Sequence, residues 1–204
     1  MRAPSFLFAI VWLCASCGAA YPPVRLTEDW PATIGDYGSV VQIWTRRAEL
    51  RADYQEVCEL VATLKSPEWR ASHALHDAKI RGLTGDVREQ YLAHARAEVA
   101  GPFEIEVMAT TWDRRENDLD RGKKSVWRVV LITEDGQEIE PLEIVKDRRP
   151  AFVVRAEFPA LGEFATPYIA RFPRTAAIFG PTAKQVRLRM SSPRGGLEVV
   201  WRAP

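Results

Sequence analysis

The chain has 204 residues, 28 Lys plus Arg against 27 Asp plus Glu, a formal charge of +1, 47% apolar and 27% charged residues. That composition belongs to a globular body with its own core and excludes disordered, collagenous and mucin-like chains. Near-zero charge gives no general attraction to nucleic acid or anionic lipid, so no nucleic-acid partner is expected, and three Cys cannot form a disulfide scaffold for this length.

The first residues, MRAPSFLFAIVWLCASCGAAYPP, read as an export signal. Arg2 is a short positive region, Phe6 to Leu13 form a continuous apolar stretch, and small residues follow. The stretch is too short to span a bilayer stably. Cys14-Ala15-Ser16-Cys17-Gly18 resembles a bacterial lipobox with Cys14 where Leu is usual, which makes residues 1–16 the signal peptide and Cys17 the lipidated first residue of a mature chain. Ordinary cleavage after Ala19 or Ala20 is the alternative. With Cys17 first, 188 residues remain and the side-chain charges balance at 27 against 27. Several acyl chains on Cys17 then supply the membrane affinity. Gly18 follows Cys17 where inner-membrane retention would call for Asp, which by the same resemblance points to the outer membrane.

Residues 17–38 read as the lipidated Cys and a tether, rich in Pro and Gly, with Trp30 and Tyr37 able to dock on the body. Fully extended, such a segment reaches roughly 70 Å. From Ser39, residues Ile43, Leu50, Tyr54, Val57, Val61 and Leu64 recur at helical intervals, with Trp44 and Cys58 beside them. The spacing predicts one helix of about 25 residues. Ser66-Pro67-Glu68 marks the start of a second helix running to about Arg81, with Trp69, His73, His76 and Ile80 on its apolar face. Thr84-Gly85-Asp86 opens a third helix to about Val99, with Val87, Tyr91, Leu92, Ala95 and Val99 inward. Gly101-Pro102 ends this helical segment, residues 39–101.

Beyond Pro102 the period becomes two. Phe103, Ile105, Val107 and Ala109 alternate with Glu104, Glu106, Met108 and Thr110, an alternation that puts Glu104 and Glu106 in solvent. Val126 to Thr133 is a strand, joined through Glu134-Asp135-Gly136 to another ending near Lys146. Tyr168–Phe172, Lys184–Met190 and Leu197–Trp201 are further strands, the last two joined by a turn over Ser191–Gly196. Pro150 to Glu163 fits a strand or a short helix ending at Pro159, and a helical crossover between two sheets is the preferred reading. The fold class that follows is α+β, an N-terminal helical hairpin or three-helix segment packed on an antiparallel immunoglobulin-like β-sandwich over residues 102–204.

The lipobox, IWTRRAEL, SPEWR, SVWRVVL, YIARFP and LRMSSPRGGLEVVW together resemble a group of uncharacterised predicted lipoproteins of myxobacteria and related bacteria. The resemblance covers most of the mature chain through structural residues, and it implies a location and an architecture rather than a chemistry.

Candidate chemistry is sparse. His73 and His76 share a helix face, and an antiparallel third helix could bring His94 opposite them as a zinc site near Asp77. The motif H-x-x-H is weak without a catalytic Glu, and satisfied packing is the competing reading. Asp113 to Gly122 carries oxygens enough for calcium but not the EF-hand spacing. A solvated loop, pinned by Asn117 and Asp118, accounts for it better. Cys58 reads as a buried structural thiol. No G-x-S-x-G, Walker loop or dinucleotide glycine pattern occurs, and Arg194-Gly195-Gly196 is a hairpin turn. Of the Trp residues, Trp127 and Trp201 point into the core and Trp112 sits at a strand edge. Trp44 and Trp69 flank the helix junction, where they glue helices to the sandwich or form an exposed partner surface.

The expected function is therefore a lipid-anchored, non-enzymatic envelope protein with a structural or interaction role. It would need no cofactor, and its partners would be the membrane, through acyl chains on Cys17, and an unidentified envelope protein. The alternatives are a binding module for a lipid or glycan held between helices and sandwich, and a metal-dependent hydrolase using His73, His76 and His94.

Overall fold

The computed structural model describes residues 21–52, 55–175 and 177–204; the signal segment, Cys14 and Cys17 lie outside them. The described chain is a mixed α+β fold in three layers, helices on a first sheet and that sheet on a second.

Helix α1 (Tyr37–Trp44) starts where Asp36 accepts a hydrogen bond from the Ser39 amide at 3.2 Å, and ends as Thr45 turns extended. The chain continues as strands β1 (Thr45–Ala52) and β2 (Gln55–Leu64), paired antiparallel from Thr45↔Thr63 to Ala52↔Gln55. This hairpin corrects the single long helix expected from Ser39. Val57, Cys58 and Leu60 to Leu64 are buried, so β2 is covered on both faces, and an apolar run covered on both faces has no period of two to separate it from a helix. Tyr54, part of the expected stripe, lies outside the described residues.

The next two helices form where the sequence places them. Helix α2 (Pro67–Ile80) has Pro67 in its first turn, Glu68 near its N-terminus and Ser66 as cap, its Oγ accepting from the Trp69 amide at 3.1 Å. Gly82 (φ 66°) follows its C-cap Arg81. Its buried face is Trp69, Ala71, Ser72, Ala74 and Ala78, while Ile80 is exposed, a rotation from the expected face. Helix α3 (Gly85–Ala97) buries none of its residues, so Val87, Tyr91, Leu92, Ala95 and Val99 do not form the expected inward stripe. It rests against α2, where Tyr91 donates to Asp77 Oδ2 at 2.5 Å.

Strand β3 (Phe103–Thr111) pairs with β2 on one side and with β7 (Thr166–Phe172) on the other. Strand β4 (Arg128–Ile132) turns at Asp135-Gly136 (φ 86° at Gly136) into the two-residue strand β5 (Glu138–Ile139). The chain then crosses to the other sheet as β6 (Glu143–Lys146), which pairs with β7. The expected continuous strand to Lys146 is thus divided between two sheets at Pro141. Helix α4 (Ala151–Glu157) is the helix expected there, with Pro150 as its N-cap and Phe158 as its C-cap, but it joins β6 to β7 within the first sheet, which corrects the expected crossover between two sheets. Strands β8 (Gln185–Ser192) and β9 (Gly195–Arg202) close the fold as a tight hairpin.

The first sheet has order β1-β2-β3-β7-β6 and the second β5-β4-β8-β9, all antiparallel. Trp127, Val129, Leu131, Leu188, Val199 and Trp201 are buried in the core, as their alternation predicts. Edge strands β1 and β9 are joined by side chains. Trp201 Nε1 donates to Trp44 O at 2.8 Å, and the buried Arg46 donates to Val200 O (2.9 Å), Ile43 O (2.5 Å), Thr45 O (3.0 Å) and Pro22 O (3.0 Å). Residues 21–38 are not a free tether. Val24 and Leu26 are buried, the Val24 amide donates to Arg202 O and Leu26 O accepts from the Gly180 amide, each at 2.8 Å. Two apolar residues at alternate positions in a Pro-rich stretch are enough to hold it against the body.

Candidate functional site

The helix-facing side of the first sheet carries a group of ionisable side chains. The register Thr63↔Glu106 puts Glu106 beside the end of β2, where Lys65 follows. Lys65 Nζ stands 3.1 Å from Glu106 Oε2, and the two side chains are 8% and 0% exposed. Apart from this ion pair, neither Glu106 oxygen has a polar partner among the described residues. Burial raises the Glu106 carboxyl to about 7 against the opposing pull of Lys65. Trp69 from α2 and Phe158 after α4 stack at 5.6 Å, with the Lys65 ammonium 5.7 Å and 5.4 Å from their ring centres.

Around this pair lie further charges and rings. His73 Nε2 is 3.4 Å from Glu157 Oε1, Arg149 pairs with both Asp147 and Glu157, and the Tyr37 hydroxyl donates to Glu157 O at 2.5 Å. Burial lowers the His73 imidazole below its ordinary value, opposed by Glu157, and burial raises the Tyr37 phenol. Near the start of the central strand β3, Glu104 accepts from Arg171 (2.7 Å) and Arg70 (2.9 Å). Burial would raise Glu104, but Lys65, Arg171 and Arg70 hold it below the usual carboxylate range. The expected solvent placement of Glu104 and Glu106 is therefore corrected: alternation does point them away from the sandwich core, but helices cover that face.

The histidines do not converge. His73 turns to Glu157, His76 stacks on Tyr37 at 4.8 Å, and His94 is 75% exposed beside Glu98. Among the described residues no group of three or more His, Cys, Asp or Glu is arranged to hold a metal ion. Trp44 and Trp69 are 0% and 3% exposed, which corrects their reading as an exposed surface and fits their reading as glue. Trp44 Nε1 donates to Glu68 Oε2 at 2.9 Å, and Trp69 stacks on His73 at 4.8 Å. Cys58 is buried, with its thiol pushed up to about 12 by burial and by Glu56 and Glu59. In the loop after β3, Asp113 pairs with Arg115, Glu116 with Arg194 and Asp120 with Lys146. Asn117 donates to Ala109 O and Asp118 accepts from Ser125 Oγ, each at 2.8 Å. The loop's carboxylates thus serve ion pairs and turn closure.

An open cleft of about 830 Å³ lies on the opposite side of the sandwich from the β1–β9 seam. Val126, Trp127 and Val129 form one wall, Pro141, Leu142 and Ile144 the other, with Lys123 at the rim. Leu142 is 61% and Val126 44% exposed. Cleft and cluster differ in kind: the cluster is sealed by rings, the cleft is open and largely apolar.

No family model matches this chain and no curated protein matches it. Among solved structures, a crystal structure of bovine butyrophilin is similar at 14% identity over 52% of this chain and 38% of that chain, with a TM-score of 0.27. A likeness that slight carries no argument about fold or function.

The sequence reading missed both places. Lys65 and Glu106 can be paired only once β2 is recognised as the neighbour of β3. The cleft had one legible signal, Pro141 following a strand, because a proline cannot continue a ladder.

Proposed function

We propose that this chain is a lipid-anchored bacterial envelope protein whose body, read as an immunoglobulin-like sandwich, serves as a non-catalytic interaction domain. The open cleft beside β4 is the observation that carries the interaction reading. It offers apolar surface to a partner, whereas the ionisable residues of the Lys65–Glu106 cluster are buried or engaged with one another. Cys17 in its lipobox supports anchoring, and the resemblance to predicted myxobacterial lipoproteins supports an outer-membrane address. A lipid or glycan held between Trp44, Trp69 and the sheet is not favoured, because those rings are packed on protein. The hydrolase reading loses its support with the divergence of His73, His76 and His94.

Fractionation and intact mass of the wild-type protein and a Cys17→Ala variant test the anchor. The wild type is expected in the membrane fraction with the mass of its acyl chains, the variant in the soluble fraction without them. A variant that partitions with membrane, or a wild type without acyl mass, overturns the anchoring.

A further inference from the structure

Strand β4 is paired unequally on its two edges. Strand β8 covers all of it, from Arg128↔Ser191 to Ile132↔Arg187. On the other edge β5 meets only Leu131 and Ile132. The Thr133 amide donates to Gln137 O at 3.0 Å on the β5 side, so with a period of two Leu131 and Val129 aim their backbone groups the same way. Leu131 meets Ile139; Val129 has no strand partner there among the described residues.

A chemical reason stands in the register. Continuing Leu131↔Ile139 by two residues sets Pro141 opposite Val129. Proline has no N–H to give the Val129 carbonyl, and the chain leaves for the first sheet, where the Leu142 amide donates to Arg171 O at 2.8 Å. Val129 is only 4% exposed, so its N–H and C=O, with no backbone partner on this edge among the described residues, lie at the floor of the cleft between the sheets, with Val126 and Leu142 exposed above them.

We propose that the cleft receives an extended segment of a partner polypeptide, which adds as a short strand to the β4 edge at Val129. An extended backbone offers a donor and an acceptor to match the N–H and C=O that Val129 presents, and it continues the ladder that β5 leaves unfinished. The ladder is short, so apolar side chains at alternate positions of the guest, seated on Val126, Pro141, Leu142 and Ile144, carry most of the affinity. Charge selects the guest further. Arg121, Lys123 and Lys124 on the rim loop take part in no ion pair among the described residues, while Glu140 and Glu143 are already paired with Arg128 and Arg171. An acidic residue at one end of the guest complements that rim. The inference rests on the reading of the cleft as the interaction face.

A phage-displayed library of random linear peptides, selected on the full chain, is the probe. The expected winners are apolar at alternate positions with Asp or Glu at one end. In the free chain the Val129 amide exchanges faster than that of Val130, and a bound winner slows Val129 by about tenfold or more. Leu142→Asp and Lys123→Glu, both at exposed positions, each weaken the winners by about tenfold. Winners sensitive to Leu142→Asp that leave Val129 exchange unchanged overturn strand addition but keep the cleft as an interaction face. No enrichment over the Leu142→Asp chain overturns both. A Val129 amide already protected in the free chain, or protected increasingly with protein concentration, assigns the edge to this chain itself and overturns the partner.

Discussion

Replacing Glu106 by Gln changes how stability depends on pH, and the change can be calculated. Glu106 is fully buried, and burial lifts its carboxyl from 4.5 to about 7 in the folded protein. Between those values the folded state holds a proton that the unfolded chain has released. The wild type therefore loses stability through this group as pH rises from 4.5 through 7, the reverse of the usual carboxylate. A difference of about 2.5 pH units corresponds to about 3 kcal/mol between pH 4 and pH 8. Other groups titrate in the same range; His73, whose imidazole burial lowers, gives the opposite slope as it loses stability on acidification below its unfolded value. Subtracting the Glu106→Gln curve cancels such common contributions and leaves the Glu106 slope, with the loss of the Lys65 partner entering as an offset. Urea denaturation followed by tryptophan fluorescence at pH steps from 4 to 8 measures it. The wild type is expected to lose about 3 kcal/mol relative to the variant across that range. A flat difference, or one that favours the wild type as pH rises, would show that Lys65 outweighs desolvation and that the reasoning is wrong.

Two further outcomes follow from buried polar groups. Arg46→Met leaves the carbonyls of Val200, Ile43, Thr45 and Pro22 without their donor, and is expected to destabilise by about 2–4 kcal/mol in the same denaturation assay. A loss below about 0.5 kcal/mol would mean that water replaces the guanidinium at the seam. Cys58, with its thiol at about 12, is a thiolate in only about one molecule in ten thousand at pH 8. In a background with Cys14 and Cys17 replaced by Ser, labelling by a disulfide reagent should track global unfolding, and rapid labelling in native buffer would contradict its burial.

What could be seen in the sequence depended on local chemistry. Ser66-Pro67-Glu68 announces α2 because cap, first-turn proline and acidic residue all act within one turn. Asp135-Gly136 announces its hairpin in the same way, since Gly136 takes a positive φ. The β1–β2 hairpin was hidden because Ala52 pairs with Gln55 with no Gly, Pro or Asn between them, and because β2 is buried on both faces. Missing that hairpin concealed the site as well. With β2 taken as helix, Lys65 has no place on the strand beside β3, and Glu106 reads as a solvated carboxylate instead of a buried partner of Lys65. The cleft depends on strand order, which Pro141 hints at but long-range pairing decides.

If the chain is anchored as proposed, the attachment of its N-terminal segment to the body sets how far the body can stray from a membrane. The Val24 amide is bonded to Arg202 O, and the Tyr21 hydroxyl accepts from the Arg47 amide at 2.8 Å. With acyl chains on Cys17, the leash runs only from Cys17 to Tyr21, a contour of about 14 Å at full stretch. A body so held would stay close to the bilayer and would meet partners by lateral diffusion in two dimensions. Docking would then require partners whose own binding segments lie within a few nanometres of the same surface.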